Sequence, residues 1–267
     1  MTAPSKNSEA SSSRVALVTG AADRIGATIA RRLARENFKV IVHYRHSADK
    51  AKAVVTEIER YGGKAVAIAA DLADRRQRAG IIAEAAKAFG PLTLLVNNAS
   101  IFERDSIFDL DEALWDAHFA IHAEAPLFLA RDFAAQLPEG AEGNIVNIID
   151  ERVLHLSPDN LSYTLSKSVL WAATRTLAQS LAPSIRVNAI GPGPTIAEKG
   201  QTDAAFAKSW ERLPLKHGAG PADIAEGVIA ILSMRAMTGQ MLALDGGEHL
   251  EWPERRGPTA RKPTKPS

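Results

Sequence analysis

The chain has no cysteine in its 267 residues, which excludes disulfides, thiolate nucleophiles and cysteine-ligated metal sites. It has no excess of either charge. Its 32 basic residues face 31 acidic ones, a net charge of +1, so electrostatics give no case for a nucleic-acid or anionic-membrane partner. No apolar run approaches the roughly 18–20 residues that a membrane span requires. The segment Met1 to Ser13 is small and polar and lacks the apolar stretch of a secretory signal. A cytoplasmic protein is expected, and the absence of cysteine is compatible with that.

The residues that are present fit one large α/β domain, because a hydrophobic content of 46% can fill a sizeable core at this length. The domain is expected over residues 14–251, with no repeat or linker dividing it. A polar tail at 1–13 precedes it, and a basic tail at 252–267 follows, holding four prolines and five basic residues. Neither tail has the composition to pack a core, so both are expected to be disordered.

Between the tails, apolar runs rich in β-branched residues lie at about 14–18, 38–43, 65–70, 92–96, 144–149, 185–190 and 240–244. Each is apolar nearly throughout, as strands buried on both faces are. Helical faces separate them: Ile25, Ile29 and Leu33; Ala51, Val54, Val55 and Ile58; Ile81, Ile82, Ala85, Ala86 and Phe89; Ile224, Val228, Ile231 and Leu232. The alternation predicts a single doubly wound, Rossmann-type domain. Its seven-stranded parallel sheet would be flanked by helices, with a ligand cleft at the carboxyl ends of the strands.

Tyr163 and Lys167 stand four apart in a helical stretch, so both side chains project from one face. An ammonium beside a phenol favours the phenolate, and the spacing therefore predicts a Tyr163 pKa lowered from about 10 toward neutrality. Such a group is matched to proton transfer at cellular pH. Surface helices also produce this spacing without any chemistry, so the surrounding motifs must support it. One such motif runs from Thr19 to Gly26, after the first apolar run and before a helix. A strand–glycine turn–helix junction of this kind presents helix N-terminal amides to a pyrophosphate.

These motifs, in this order, resemble those of the short-chain dehydrogenase/reductase family. The resemblance runs from about Arg14 to Leu250. It includes Thr19-Gly20 through Gly26, with Arg24 in place of the middle glycine of the family fingerprint, and Asn97-Asn98-Ala99-Ser100 after the fourth strand. It also includes the Tyr163/Lys167 pair, Gly191-Pro192-Gly193, and Asp245-Gly246-Gly247. The resemblance implies a cofactor-binding role for Gly20, Arg24, Ile25 and Gly26. Asp71 and Leu72 would meet the adenine, and Asn98, Ala99 and Ser100 would line the ribose side. Tyr163 would transfer the proton, while Lys167 would lower its pKa and hold the nicotinamide ribose. Pro192, Gly193 and Thr195 would border the nicotinamide. A homotetramer is the assembly that the resemblance implies.

The second strand leads into His43-Tyr44-Arg45-His46-Ser47, and no acid lies between Phe38 and Ala48. A carboxylate there would repel a 2′-phosphate, whereas Arg45 and Arg24 with the Ser47 hydroxyl would attract one. Tyr44, Arg45, His46 and Ser47 are therefore expected at the cofactor, which is expected to be NADP(H).

Within the family, the chain is similar to the pteridine reductases and dihydromonapterin reductases in three respects: Arg24, the His43-Tyr44 segment, and Asp150 where most relatives carry serine. The implied activity is NADPH-dependent reduction of a small-molecule reduced pterin, with Asp150, Tyr163 and Lys167 as the proton-transfer set. Arg24, Ser100, Phe102 and Tyr163 would contact the substrate. Phe102 either stacks on a flat ring or belongs to the core. Asp150 has a second reading, as a capping residue beyond the fifth strand. The alternative activity is general carbonyl reduction, like that of the 3-oxoacyl carrier-protein reductases. A non-catalytic NADP(H) sensor is a third reading.

His122 stands where many relatives carry asparagine, and it either keeps a proton relay or reshapes its helix. His118 and His122 have an i, i+4 metal-ligand spacing but no third ligand, so no metal is expected. The segment 196–214 reads as a lid, in which Phe206 and Trp210 either cover the substrate or anchor the lid.

Overall fold

Seven strands pair in parallel in the order β3-β2-β1-β4-β5-β6-β7. They are β1 (Val15–Val18), β2 (Lys39–Tyr44), β3 (Lys64–Ala69), β4 (Leu94–Asn97), β5 (Gly143–Ile148), β6 (Ile185–Pro192) and β7 (Met241–Leu244). All seven expected runs are strands, displaced by two residues at most. The computed structural model describes residues 14–197 and 200–250. The expected tails at 1–13 and 252–267 lie outside the described residues.

Among the described residues, nine α-helices join the strands: α1 (Arg24–Arg35), α2 (Ala48–Arg60), α3 (Arg75–Arg78), α4 (Ile81–Phe89), α5 (Glu112–Phe119), α6 (Ala125–Gln136), α7 (Leu161–Leu181), α8 (Asp203–Arg212) and α9 (Pro221–Ser233). One face of the sheet packs against α1, α2 and α9 through Ile29, Leu33, Val54, Ile58, Ile224 and Val228. The other face packs against α4, α6 and α7 through Ile81, Ile82, Leu129, Phe133 and Ala178. Strands β1 and β4 bury every residue, as the apolar runs Val15–Val18 and Leu94 to Val96 demand, with Asn97 buried at the end of β4.

The strand order reverses between β1 and β4, and this opens the crevice at their carboxyl ends. The turns after β1, β4, β5 and β6 all emerge on that side. Helices α5 and α6 are one continuous element interrupted by a π turn at Ala120–Glu124. Pro126 follows two residues after it. It has no N–H for the i−4 carbonyl, and its ring crowds that carbonyl, so the ladder must widen there. The widening turns His122 inward.

Candidate active site

The β1–α1 turn is held by contacts from β2 and from the turn after β4. Asn98 Nδ2 donates to the Thr19 carbonyl at 2.8 Å and to the Gly20 carbonyl at 3.2 Å. Gly20 has φ of +62°, and a Cβ there would come within 3.0 Å of the Ala99 Cα, so the turns after β1 and β4 meet backbone to backbone. His43 is buried, accepts at Nδ1 from the Gly20 N–H (3.0 Å), and donates from Nε2 to the Ala70 carbonyl (3.0 Å). Burial pushes its pKa below the ordinary value. His43 is thus a neutral tie between β2 and the glycine turn and supplies no cation for a phosphate. Asn98 likewise has its amide nitrogen engaged by the loop, a role the sequence did not reveal.

Arg24, Arg45, His46 and Ser47 are exposed around this turn, while Tyr44 and Ile25 rest against the core. Asp23 caps α1 by accepting from the Arg24 N–H at 2.8 Å, and it is ion-paired to Lys50. The one acid of the turn is thereby neutralised, leaving Arg24 and Arg45 as cations at the rim. Arg24 Nη2 also donates to the Ala197 carbonyl at 3.4 Å, joining the turn to the start of the segment expected to form a lid. Cations and a hydroxyl, with a helix N-terminus beside them, suit a phosphate-bearing dinucleotide. Asp71 follows β3 and uses Oδ1 to accept from the Ala73 N–H (2.9 Å); Leu72 is buried beside it.

Asp150 stands two residues past β5 and starts a 3-10 turn at Glu151–Val153. Its Oδ1 accepts from the Arg152 N–H at 3.0 Å, and its Oδ2 accepts from the Tyr163 hydroxyl at 2.9 Å. It therefore caps a turn and contacts the phenol at once. The Arg152 side chain folds back so that Nη1 lies 3.1 Å from both carboxylate oxygens. Phe102 meets the Tyr163 ring edge-on at 4.8 Å, and the Arg152 guanidinium lies 5.8 Å from the centre of the Phe102 ring. Phe102 is half-buried at the edge of this group rather than in the core.

Helix α7 is aimed by Asp105, whose two carboxylate oxygens accept from the Ser162 N–H at 3.1 and 3.2 Å. Tyr163 is 6% exposed and Lys167 2%. Lys167 Nζ donates to the Ile148 carbonyl at 3.0 Å and lies 5.7 Å from the centre of the phenol ring. The expected depression of the Tyr163 pKa is reversed in the protein itself. Burial pushes it well above the ordinary value, and the charge of Asp150 and its hydrogen bond add to the rise. Lys167 is itself lowered to about 8 by burial, with Asp150 opposing the shift. Tyr163 holds its proton at neutral pH, which is the state a proton donor needs.

His122 bridges the substrate side and α7. Its Nε2 accepts from the Ile101 N–H (3.3 Å) and lies 2.9 Å from Ser100 Oγ, so Nδ1 carries the proton to Ser166 Oγ at 2.9 Å. Ser166 in turn donates to the Tyr163 carbonyl at 2.7 Å. Burial first, then Lys167, holds the His122 pKa well below the ordinary value, so the ring is neutral. His122 thus sits in the π turn and contacts the Ser100 and Ser166 hydroxyls. His118 Nδ1 bonds Ser162 Oγ at 2.6 Å.

After β6, the Thr195 hydroxyl donates to the Gly193 carbonyl at 3.0 Å, and a Cβ at Gly193 would come within 2.8 Å of Asp245. Pro192 is buried in the same turn. In the segment expected to form a lid, Trp210 Nε1 donates to the Pro194 carbonyl at 2.7 Å, and its ring lies over Gly218, so Trp210 ties α8 to the turn after β6. Phe206 meets Trp210 at a tilt of 57°, with ring centres 5.4 Å apart. Glu198 and Lys199 lie outside the described residues.

Sequence reading missed Arg152, Glu151 and Glu248. Glu151 is buried beside Asp150, and desolvation, together with Asp150 and Glu248, raises its pKa to about 8. The run Asp150-Glu151-Arg152, three charges immediately after a wholly apolar strand, was the available signal.

The family model described as enoyl-(acyl carrier protein) reductase matches residues 20–249. An uncharacterized oxidoreductase of Methylorubrum extorquens is 35% identical over 243 residues, covering 88% of this chain and 97% of its own. The 3-oxoacyl-[acyl-carrier-protein] reductase of Staphylococcus epidermidis is 32% identical over 240 residues, covering 88% and 98%. The crystal structure of alternative dihydrofolate reductase 1 from Brucella canis, complexed with NADP, is 46% identical, with a TM-score of 0.87, covering 91% of this chain and 96% of that one. The chain belongs to the short-chain dehydrogenase/reductase family and is an oxidoreductase.

Proposed function

We propose that this chain is an NADPH-dependent reductase of a reduced pterin, of the dihydromonapterin, dihydrobiopterin or dihydrofolate type. The observation that carries this reading is the 2.9 Å hydrogen bond from Tyr163 to Asp150, with Phe102 set edge-on against the same phenol. The Brucella protein, an alternative dihydrofolate reductase in complex with NADP, supports it at 46% identity. The cofactor is NADP(H), held at its phosphates by Arg24, Arg45 and Ser47 and at its nicotinamide ribose by Lys167. When bound, it supplies a hydride. Asp71 and Leu72 border the adenine; Asn98 and Ala99 border the ribose; Pro192, Gly193 and Thr195 border the nicotinamide.

A ketone reductase needs only a hydroxyl donor for an alkoxide. Reduction of a ring C=N bond requires a proton on nitrogen as carbon gains the hydride. Tyr163 holds that proton, and its bond to Asp150 Oδ2 gives a short path to a ring nitrogen beside the carboxylate. The Tyr163 O–H bond breaks as its proton passes to Asp150 Oδ2, the proton then leaves that carboxyl to form the ring N–H bond, and solvent returns a proton to the phenol. Phe102 offers a face to the flat ring, and Ser100 and Arg24 lie on either side. We place the enzyme in the cytoplasm as a homotetramer.

The second reading is carbonyl reduction, favoured by the 32% identity to 3-oxoacyl carrier-protein reductases. Following NADPH oxidation with dihydropterins beside β-ketoacyl and simple carbonyl substrates separates the two. Turnover of a dihydropterin is expected, and Asp150→Asn should cut it at least about 100-fold, since the amide cannot relay a proton. Turnover of ketoacyl substrates alone would establish the second reading.

A further inference from the structure

We propose that Arg152 is a specificity-determining residue: its guanidinium binds the ring oxygen of a fused lactam–imine while Asp150 and Tyr163 serve the neighbouring ring nitrogen. This rests on the pterin reading above and names how that substrate class is selected.

Arg152 is placed by the carboxylate it contacts. Because Asp150 Oδ1 caps the turn through the Arg152 N–H at 3.0 Å, the arginine side chain starts beside the carboxylate and returns to it. Nη1 makes both contacts, each 3.1 Å. Nε and Nη2 have no hydrogen-bond partner among the described residues, so three of the five N–H donors remain for a ligand. The side chain is 29% exposed and lies over Phe102, the aromatic that meets Tyr163. The guanidinium thus lies 3.1 Å from the carboxylate that takes the phenol's hydrogen bond and 5.8 Å from the centre of the aromatic ring that meets the phenol.

The chemistry of a dihydropterin matches this arrangement. Its reducible bond joins N5 to C6, and its lactam oxygen O4 lies peri to N5, on the same edge of the fused ring. A protein serving that edge must deliver a proton to N5 and a hydrogen bond to O4 side by side. Asp150 with Tyr163 does the first, and the free donors of Arg152, anchored 3.1 Å from the same carboxylate, do the second. A simple ketone has only one oxygen and gains nothing from Arg152. A charged donor to a carbonyl in a partly dry site discriminates strongly against an analogue that lacks the oxygen.

The test compares 6-methyl-7,8-dihydropterin with its 4-deoxo counterpart, in which hydrogen replaces O4. KM is measured with NADPH, and dissociation constants are measured by fluorescence titration of the NADP+ complex. In Arg152→Ala the 4-oxo compound should lose about tenfold or more in both quantities, while the 4-deoxo compound changes less than about threefold. Arg152→Lys, which keeps the charge without the fork, should fall between parent and alanine variant and guards against misfolding of the latter. Unchanged NADPH affinity shows that each variant is folded.

Equal losses for both compounds would mean that Arg152 acts only by holding Asp150, and would overturn the proposal. No loss for either compound would also overturn it. A parent enzyme that neither binds nor reduces dihydropterins would instead overturn the pterin reading itself.

Discussion

Tyr163 keeps its proton because of what surrounds it rather than because of the lysine four residues on. Burial disfavours the phenolate, the Asp150 carboxylate accepts its hydrogen, and Lys167 points to the Ile148 carbonyl. In the reducing direction this is useful, since a donor must be protonated before the reaction begins. Tyr163→Phe should leave NADPH affinity within about twofold, because the ring still packs against Phe102 and His122. Its kcat should fall by about 100-fold or more with the proton removed. Fluorescence titration and steady-state kinetics on the same preparation check both halves. A near-normal kcat would mean the proton comes from elsewhere.

At the scale of elements, the β1–α1 turn sacrifices stability for a charge. Arg24 takes φ of +53°, in the left-handed region where a side chain costs roughly 1–2 kcal/mol, at a position where the family fingerprint has glycine. Its guanidinium is exposed at the edge of the turn and reaches the Ala197 carbonyl. Arg24→Gly should therefore raise stability by about 1 kcal/mol in urea denaturation while weakening NADPH binding by about tenfold. A variant that is both less stable and equally tight for NADPH would refute this account. The π turn ahead of Pro126 is a second such compromise, since it interrupts a helical ladder and in return brings His122 between Ser100 and Ser166.

At the scale of the whole molecule, the buried acids behind the site link stability to pH. Glu151 is raised to about 8 by desolvation first and then by Asp150 and Glu248. Unfolded, it ionises at its ordinary pKa, 4.5. Between these values the folded protein binds more protons than the unfolded chain, so this group lowers stability as pH rises from about 4.5 to 8. Below that window it contributes nothing. Glu151→Gln keeps the shape and stays neutral, so its stability relative to the parent should grow steadily from pH 5 to pH 8. Urea midpoints at several pH values measure this, and parallel curves for parent and variant would contradict it.

The sequence by itself determined the order and type of the elements, the side of the sheet where the motifs collect, and the pairing of Tyr163 with Lys167 on one face. These follow from local periodicity: apolar runs bury as strands, i to i+4 spacing sets a helical face, and a doubly wound sheet gathers its turns at one end. The exposed cations Arg24 and Arg45 beside the glycine turn were legible for a similar reason, since they depend on which charges a short loop carries and lacks. Only the tertiary structure decided that Arg152 turns back onto Asp150, that His43 ties Gly20 to Ala70, and that Trp210 ties α8 to Pro194. It also decided the direction of the Tyr163 shift. Each of these depends on a bond between side chain and backbone of separate elements or on removal from water, and neither has a period or spacing that a sequence displays.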